Sequence, residues 1–205
     1  YVTVAFNHFW DNGKSSMCGM KSETGENWIT YHHNWFDHSD SRHARVRTMT
    51  VHMYNNYYQH CDVYGVGATS GSNIFMESNY FEAVKRPIMS SLQGTDIKGS
   101  KGTFSGENGG MIKSYGNVFV NKPSGFSYIT YADNPTSFDA YEVAKASEQL
   151  PAGVKTLVGG TGYNNFDTNP DVMYSHTADN AVDVPSIIEG FYGAGRLNHG
   201  DIKFD

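Results

Sequence analysis

Five short segments of the chain repeat one pattern, in which alternating apolar residues are followed by an asparagine and then by aromatic residues. The repeated asparagines are Asn7, Asn34, Asn56, Asn79 and Asn117, separated by steps of 27, 22, 23 and 38 residues. A strand unit that returns about every 22 residues buries its apolar face only against copies of itself, which is typical of a solenoid. The repeat therefore predicts a parallel β-helix, in which each strand pairs with its counterpart in the next coil.

Identical positions stack on one another in such a coil. Asparagine side chains at one bend would hydrogen-bond along the axis and adopt the left-handed backbone of the bend, and the aromatic residues after them would bury large apolar area. The longer steps predict loops that leave the solenoid and carry function. A β-sandwich or a propeller is the alternative, although neither predicts so constant a register.

Composition favours an all-β chain and limits its partners. The 205 residues include 22 Gly, 14 Tyr and 12 Phe, which favour turns and strands over helices. A formal net charge of −6 argues against nucleic acid as the main partner, and no apolar run is long enough to span a membrane. Cys18 and Cys61 form no disulfide framework; Cys18 is predicted to be buried, and a bridge to Cys61 is left open.

The repeat also predicts how the chain is organised. Residues 1–120 are expected to form the β-helix coils, and residues 121–205 a loop and capping region of the same domain. Residues 139–150 form the one predicted helix, which ends before Pro151. Because a mid-solenoid strand begins at Tyr1, we expect the C-terminal portion of a longer β-helix, completed by a missing N-terminal segment or by a partner chain.

The basic residues cluster in the sequence 42–47, which contains three of the five arginines of the chain. If Val46 points inward, Arg45 and Arg47 point outward, and Arg42 lies on the approach to the strand. Lys14 comes about one coil earlier, so it can share their face. Such a cluster suits a carboxylate-bearing chain because arginine binds carboxylates bidentately. The alternative is that acids such as Asp37 and Asp40 simply neutralise these arginines.

These stretches resemble the pectate lyase family of pectin-degrading enzymes, which form right-handed parallel β-helices. The resemblance rests on residues 1–12 with Lys14, and on residues 30–36, 42–58, 78–87, 106–119, 163–167 and 194–198. Its most specific part is the run of Arg42, Arg45, Val46 and Arg47 followed by a strand rich in His, Tyr and Asn. The family usually has proline where this chain has Ala44, and we expect this departure to have only a small local effect.

The resemblance implies cleavage of polygalacturonate by anti β-elimination, in a secreted, extracellular protein, giving 4,5-unsaturated oligogalacturonides. By this resemblance Arg42 is the catalytic base, and Lys14 and Arg47 bind the substrate carboxylate. Neighbouring cations would disfavour protonated Arg42, which predicts an alkaline pH optimum. Calcium is the implied cofactor. Its usual ligands are acidic residues upstream of the strand that begins at Tyr1, so no calcium ligand is assigned in this chain.

Three other activities are considered. A pectin lyase acting on methylated pectin is disfavoured by Lys14, and a hydrolase by the lack of adjacent aspartates. A non-catalytic β-helix that binds uronate polysaccharide is the third. Membranes and nucleic acids are not expected partners.

Further polar clusters have less specific interpretations. The histidines, such as His32, His33 and His38, are predicted to be structural or at the surface, since their spacing matches no tetrahedral metal site. A minor calcium site at Asp11, Asp37 and Asp40 is a weaker hypothesis. Lys85 and Arg86 either extend a substrate groove or form a solvated pair. The glycine-rich residues 106–110 are predicted to form a turn and not a phosphate loop.

Overall fold

Most of the chain is wound into parallel strands. The computed structural model describes residues 1–20, 22–23, 27–98 and 104–189, so the resembling stretch 194–198 lies outside the described residues. In chain order the strands are β1 (Val2–Ala5), β2 (His8–Trp10), β3 (Met17–Cys18), β4 (Trp28–His32), β5 (Trp35–Asp37), β6 (Arg45–Arg47), β7 (Thr50–Tyr54), β8 (Tyr57–Gln59), β9 (Val66–Thr69), β10 (Asn73–Glu77), β11 (Tyr80–Glu82), β12 (Ile88–Ser90), β13 (Met111–Tyr115), β14 (Val118–Val120) and β15 (Tyr141–Glu142).

Three parallel sheets make up the faces of the coil. Sheet 1 has the order β1-β4-β7-β10-β13-β15, sheet 2 the order β2-β5-β8-β11-β14, and sheet 3 the order β3-β6-β9-β12. Each strand pairs in register with the strand of the same face in the next coil, for example Val2 with Ile29 and Phe9 with Phe36. The predicted parallel β-helix is therefore confirmed.

The asparagine ladder forms at the bend between sheets 1 and 2. The side-chain amide of Asn7 donates to Asn34 Oδ1 at 3.0 Å, and that of Asn34 donates to Asn56 Oδ1 at 3.0 Å. The ladder continues through Asn79 to Asn117 with donor–acceptor distances of 3.0 and 2.9 Å. The predicted hydrogen bonding along the axis is confirmed, and it satisfies amides that are fully buried in the middle coils.

The left-handed backbone of this bend lies one residue earlier than predicted. Positive φ angles between 50° and 64° fall on the residues that precede the ladder, namely Phe6, His33, Asn55, Ser78 and Gly116. The asparagines themselves are placed by their side-chain bonds, so the preceding residue makes the turn. Only one of the five is glycine, so the other four adopt a conformation that L-residues rarely take.

Aromatic rings stack behind the ladder, as predicted. Phe9, Phe36, Tyr58, Phe81 and Phe119 form a column with centroid separations of 4.8, 5.1, 4.3 and 5.3 Å. Smaller apolar side chains from all three sheets fill the rest of the interior. Hydrogen bonding between parallel strands sets successive coils about 4.8 Å apart, a distance at which stacked rings pack favourably.

The C-terminal part of the described chain covers the outer faces of the solenoid. Phe138, Leu150, Tyr163 and Phe166 pack against Phe75 on sheet 1. Helix α2 (Val184–Glu189) packs on the aromatic outer face of sheet 2. The remaining helical elements are α1 (Thr95–Lys98) and two 3-10 turns, Phe166–Thr168 and Ala181–Asp183. No helix among the described residues has the length and apolar character needed to cross a membrane.

The helix predicted for residues 139–150 is wrong. Tyr141 and Glu142 form β15, which pairs with β13, and turns follow it. The buried ammonium of Lys113 accounts for much of the difference. It donates hydrogen bonds to the carbonyl oxygens of Ala146, at 2.7 Å, and of Glu148. In a helix these two carbonyl groups would instead accept from backbone amides of the same helix. Tertiary contacts therefore override the local helical pattern.

Candidate functional site

The arginine cluster lies on sheet 3, on the strand β6 and the bend before it. Val46 is fully buried inside the coil, so its neighbours Arg45 and Arg47 project from the outer face, as predicted. Arg42 precedes them on a bend, with a φ of 68°, in the left-handed region. The peptide bond between His43 and Ala44 is cis, and Ala44 is fully buried.

Two of the predicted site residues meet over the side chain of Met17. Arg42 Nη1 lies 3.9 Å from Met17 Sδ, and Arg47 Nη1 lies 3.2 Å from the same sulfur atom. Met17 belongs to the preceding coil, where it pairs with Arg45. The two guanidinium groups therefore share one patch of the outer surface. The Met17 thioether beneath them is uncharged and neutralises neither group.

Backbone pairing between neighbouring coils places Lys14 near the same region. It forms a parallel bridge with Ser41 of the next coil, and Ser16 N–H donates to Arg42 C=O at 2.7 Å. Lys14 is exposed, so its ammonium is accessible to solvent. The register thus sets Lys14 one coil away from the residue that immediately precedes Arg42, about 4.8 Å along the axis.

Glu107 is the counter-ion of the cluster, a role that the sequence analysis did not predict. Its Oε2 lies 2.9 Å from Arg45 Nη2, and its Oε1 lies 2.9 Å from Arg47 Nη2. Arg47 Nε also donates to both carboxylate oxygens, at 3.1 and 3.0 Å, and the Thr69 hydroxyl donates to Oε2. These contacts, led by the one to Arg47, lower the pKa of Glu107 to about 2.

Arg45 is buried although it projects from the coil. Its side chain is 2% exposed, and its guanidinium carbon lies 5.3 Å from the centroid of the Phe104 ring. The chain around Phe104 and Glu107 closes over it. Arg45 is therefore a structural member of the cluster, whereas Arg42 and the Nη1 edge of Arg47 face outward.

Asp37, one of the acids proposed as alternative partners of the arginines, bonds to two histidines instead. Asp37 Oδ2 lies 2.9 Å from His8 Nε2, and its other oxygen bonds His38. Glu107 takes the neutralising role that the sequence suggested for Asp37 and Asp40. Glu107 pairs with Arg45 and Arg47 and offsets one of the three positive charges of Arg42, Arg45 and Arg47, so these four side chains together carry a net positive charge.

Tyr64 adjoins the same cluster. Burial raises the pKa of its hydroxyl to about 12, while the nearby charges of Arg45 and Arg42 act in the opposite direction. Tyr64 C=O also accepts a hydrogen bond from His43 Nδ1 at 3.0 Å, which gives the buried His43 ring a partner beside the Arg42 bend.

Lys85 and Arg86 are half-buried. Arg86 C=O accepts from Gly65 N–H at 2.9 Å, and Gly65 C=O accepts from His43 N–H at 3.0 Å. Arg86 therefore lies two coils along the axis from the bend that carries Arg42. Its interpretation as an extension of a substrate groove stays a prediction.

Among the described residues, no group of three or more carboxylates is arranged to hold a calcium ion. Within that part of the chain, one group of three His, Cys, Asp or Glu side chains could hold a metal, and it consists of His52, Glu77 and His176. Two imidazole nitrogens and a carboxylate do not match the six to eight oxygen ligands of calcium. The hypothesis of a calcium site at Asp11, Asp37 and Asp40 is thus wrong, because these three do not converge.

Comparison with known proteins shows that the chain is similar to pectate lyases. A family model described as pectate lyase matches residues 1–116. Pectate lyase C of Dickeya chrysanthemi is 28% identical over 196 residues, covering 95% of this chain and 44% of that protein. Pectate trisaccharide-lyase of Bacillus licheniformis is 37% identical over 91 residues, covering 44% of this chain and 27% of that protein. The chain therefore spans less than half the length of these curated relatives.

Solved structures agree with this fold. A pectate lyase from Bacillus sp. N165, crystallised with trigalacturonate, superposes with a TM-score of 0.57 at 24% identity, covering 97% of this chain and 50% of that one. Pectate lyase C of Erwinia chrysanthemi, determined with Ca²⁺, gives a TM-score of 0.59 at 25% identity, covering 96% of this chain and 48% of that one.

Proposed function

Because this chain belongs to the pectate lyase family, we propose that it takes part in cleaving polygalacturonate by anti β-elimination. The observation that carries the proposal is the meeting of Arg42 and Arg47 over Met17, on an outward face that Lys14 borders. The net positive charge of this patch suits a polyanionic sugar chain, because preplaced cations stabilise negative charge that develops during reaction.

Each of the three residues has a defined part in the proposed reaction. Lys14 and the Nη1 edge of Arg47, which contacts Met17 Sδ but no carboxylate, bind the carboxylate on C6 of a uronate, which makes the C5 proton more acidic. Arg42 removes that proton, the electron pair forms the C4–C5 double bond, and the glycosidic oxygen on C4 leaves with its bonding pair. Glu107 holds the rest of the Arg47 guanidinium, so that Nη1 keeps its direction.

The charge of the patch also bears on the substrate and on calcium. A carboxylate pairs with Lys14 and Arg47, whereas a methyl ester has no charge to offer, so we propose unesterified polygalacturonate as the substrate rather than methylated pectin. The calcium ion that the family resemblance implies is assigned to no residue of this chain. Because intact polysaccharide lies outside cells, we also propose that the protein acts extracellularly.

The test measures ultraviolet absorbance of the unsaturated product and, separately, retention of the chain in gels that contain polygalacturonate. Arg42→Ala should lower turnover by roughly 10²–10⁴-fold and spare retention, since a positioned base contributes about that much. Lys14→Ala and Arg47→Ala should weaken both. Lys145→Ala, at an exposed site on the C-terminal part of the chain, is the control for loss of one positive charge.

Four outcomes would change the assignment. Substantial activity in Arg42→Ala would remove its role as base. Faster cleavage of methylated pectin than of polygalacturonate would favour a pectin lyase. Retention without product, with and without added calcium, would favour a non-catalytic uronate-binding β-helix. A rate that peaks at or below neutral pH would also contradict an arginine base.

A further inference from the structure

A second polar cluster lies on the outer face of sheet 1, away from the arginines. His52, in the middle of β7, and Glu77, at the end of β10, project from neighbouring strands towards the same point. His52 Nε2 lies 3.0 Å from Glu77 Oε2. His176, almost a hundred residues further along the chain, brings its Nε2 to 2.7 Å from the same oxygen.

The donor atoms have the chemistry and spacing of a metal site. All three lie within 4.8 Å of one another. In a tetrahedral zinc site with bonds of about 2.1 Å, ligand atoms are roughly 3.4 Å apart. The 3.0 and 2.7 Å contacts need to open by less than an ångström to admit an ion. Two nitrogens and one carboxylate oxygen are typical of zinc, cobalt or nickel.

The surroundings of His52 match those of a metal ligand. Its side chain is 1% exposed, and its ring stacks on Tyr54 at 4.8 Å and on Phe75 at 5.1 Å between centroids. Its other nitrogen, Nδ1, lies 2.7 Å from the hydroxyl of Tyr174. Metal-bound histidines usually donate this second N–H to an oxygen acceptor such as a carboxylate, a carbonyl or water, which fixes the ring and the tautomer, and here the Tyr174 hydroxyl occupies that position. The tyrosine hydroxyl can accept from Nδ1 when Nε2 is used by an ion.

The site has access and room for exogenous ligands. Glu77 and His176 line a cavity of about 480 Å³ together with Gln149 and Asp167. An ion could enter from this side, and water could complete its coordination there. His52 does not line this cavity and is buried behind Glu77 and His176, its neighbours in the cluster.

We propose that His52, Glu77 and His176 bind one divalent transition-metal ion, such as Zn²⁺, which fastens the segment of residues 174–179 across sheet 1. The segment already has a second anchor at its far end, where Asp179 N–H donates to Asn55 Oδ1 at 2.8 Å. A metal at His176 would fix the near end in the same way. The site is independent of the lyase chemistry, since it shares no residue with the arginine cluster.

The experiment titrates Zn²⁺ into the untagged chain after chelator treatment, using calorimetry, and records the visible spectrum with Co²⁺ as a probe. The expected result is one ion per chain, a tetrahedral Co²⁺ spectrum and a higher melting temperature with metal. His60→Gln, which alters an exposed histidine outside the cluster, should leave all three unchanged.

Two variants assign the binding to this cluster. His176→Gln should abolish stoichiometric binding, and Tyr174→Phe, which keeps all three ligands, should weaken it by about 10–100-fold. Wild-type protein that binds no stoichiometric Zn²⁺ would overturn the proposal without reference to any variant. So would His176→Gln protein of normal circular dichroism that binds as tightly as wild type, or displacement of Zn²⁺ by Ca²⁺.

Discussion

Replacing Glu107 with glutamine tests whether one carboxylate holds the arginine cluster together. The variant keeps the shape of the side chain and removes its charge. Arg45 is 2% exposed, so it would be left as a buried cation without its counter-ion, a change that typically costs about 3–5 kcal/mol. Arg47 is 16% exposed and can turn to water, so we expect a loss near the lower end, about 3 kcal/mol.

The assay is urea unfolding at neutral pH, with Glu148→Gln as control because Glu148 is exposed and loses the same charge. A loss of about 3 kcal/mol corresponds to a melting temperature lower by roughly 6–12 °C in a domain of this size. The control should remain within about 0.5 kcal/mol of wild type.

Acid provides a second check on the same reasoning. The pKa of Glu107 is lowered to about 2 in the folded chain. The ionised carboxylate therefore contributes its full stabilisation of the folded state at pH values above the usual pKa of a glutamate, and this contribution is lost as the pH falls towards 2. The difference between wild type and Glu107→Gln should therefore be constant above about pH 5 and shrink below about pH 4.5. Equal stability of the two proteins at neutral pH, or a difference that persists unchanged in acid, would refute this account.

Three further predictions concern the interior of the coil. Asn56→Ala should lower the free energy of unfolding by more than about 2 kcal/mol, because it leaves buried groups of the ladder unpaired. Asn7→Ala, at the exposed end of the ladder, should lower it by less than about 1 kcal/mol. Equal urea midpoints for the two variants would contradict this. Tyr58→Phe should be neutral or stabilising by up to about 1 kcal/mol in thermal melts, because the buried Tyr58 hydroxyl has no hydrogen-bond partner among the described residues; clear destabilisation would count against that. Burial raises the pKa of Cys18 to about 11 and also raises the pKa of Cys61 well above its usual value. A thiol reagent at mildly alkaline pH should therefore label both only after denaturation, and rapid labelling of native protein would show that they are accessible.

The periodic part of the fold was predictable because its signal is local and repeated. The ladder from Asn7 to Asn117 and the column from Phe9 to Phe119 follow directly from side-chain alternation and from the return of one motif. The outward direction of Arg45 and Arg47 followed from the same alternation about Val46. These features need no knowledge of distant contacts.

The rest depends on contacts between distant parts of the chain. Glu107 lies 60 residues from Arg47 on an aperiodic stretch, and nothing in its neighbours indicates that it folds back over sheet 3. His176 contacts Glu77 although 99 residues separate them in the chain. Nothing in the sequence near His176 predicts this contact. The helical pattern of residues 139–150 was misleading because Lys113, buried on sheet 1, binds the carbonyl groups of that segment.

Coils of unequal length share one register, and this limits where the protein can change in evolution. Asn73 pairs with Met111 and Tyr80 with Val118, so both pairs keep the register across the longest coil. The additional residues of that coil therefore leave the stack of strands at a single corner, after β12. Residues inserted at that corner would add new surface and leave the stacked strands intact, and Glu107 lies on this connection between β12 and β13. A single residue added inside a strand would instead turn its core-facing side chains towards solvent.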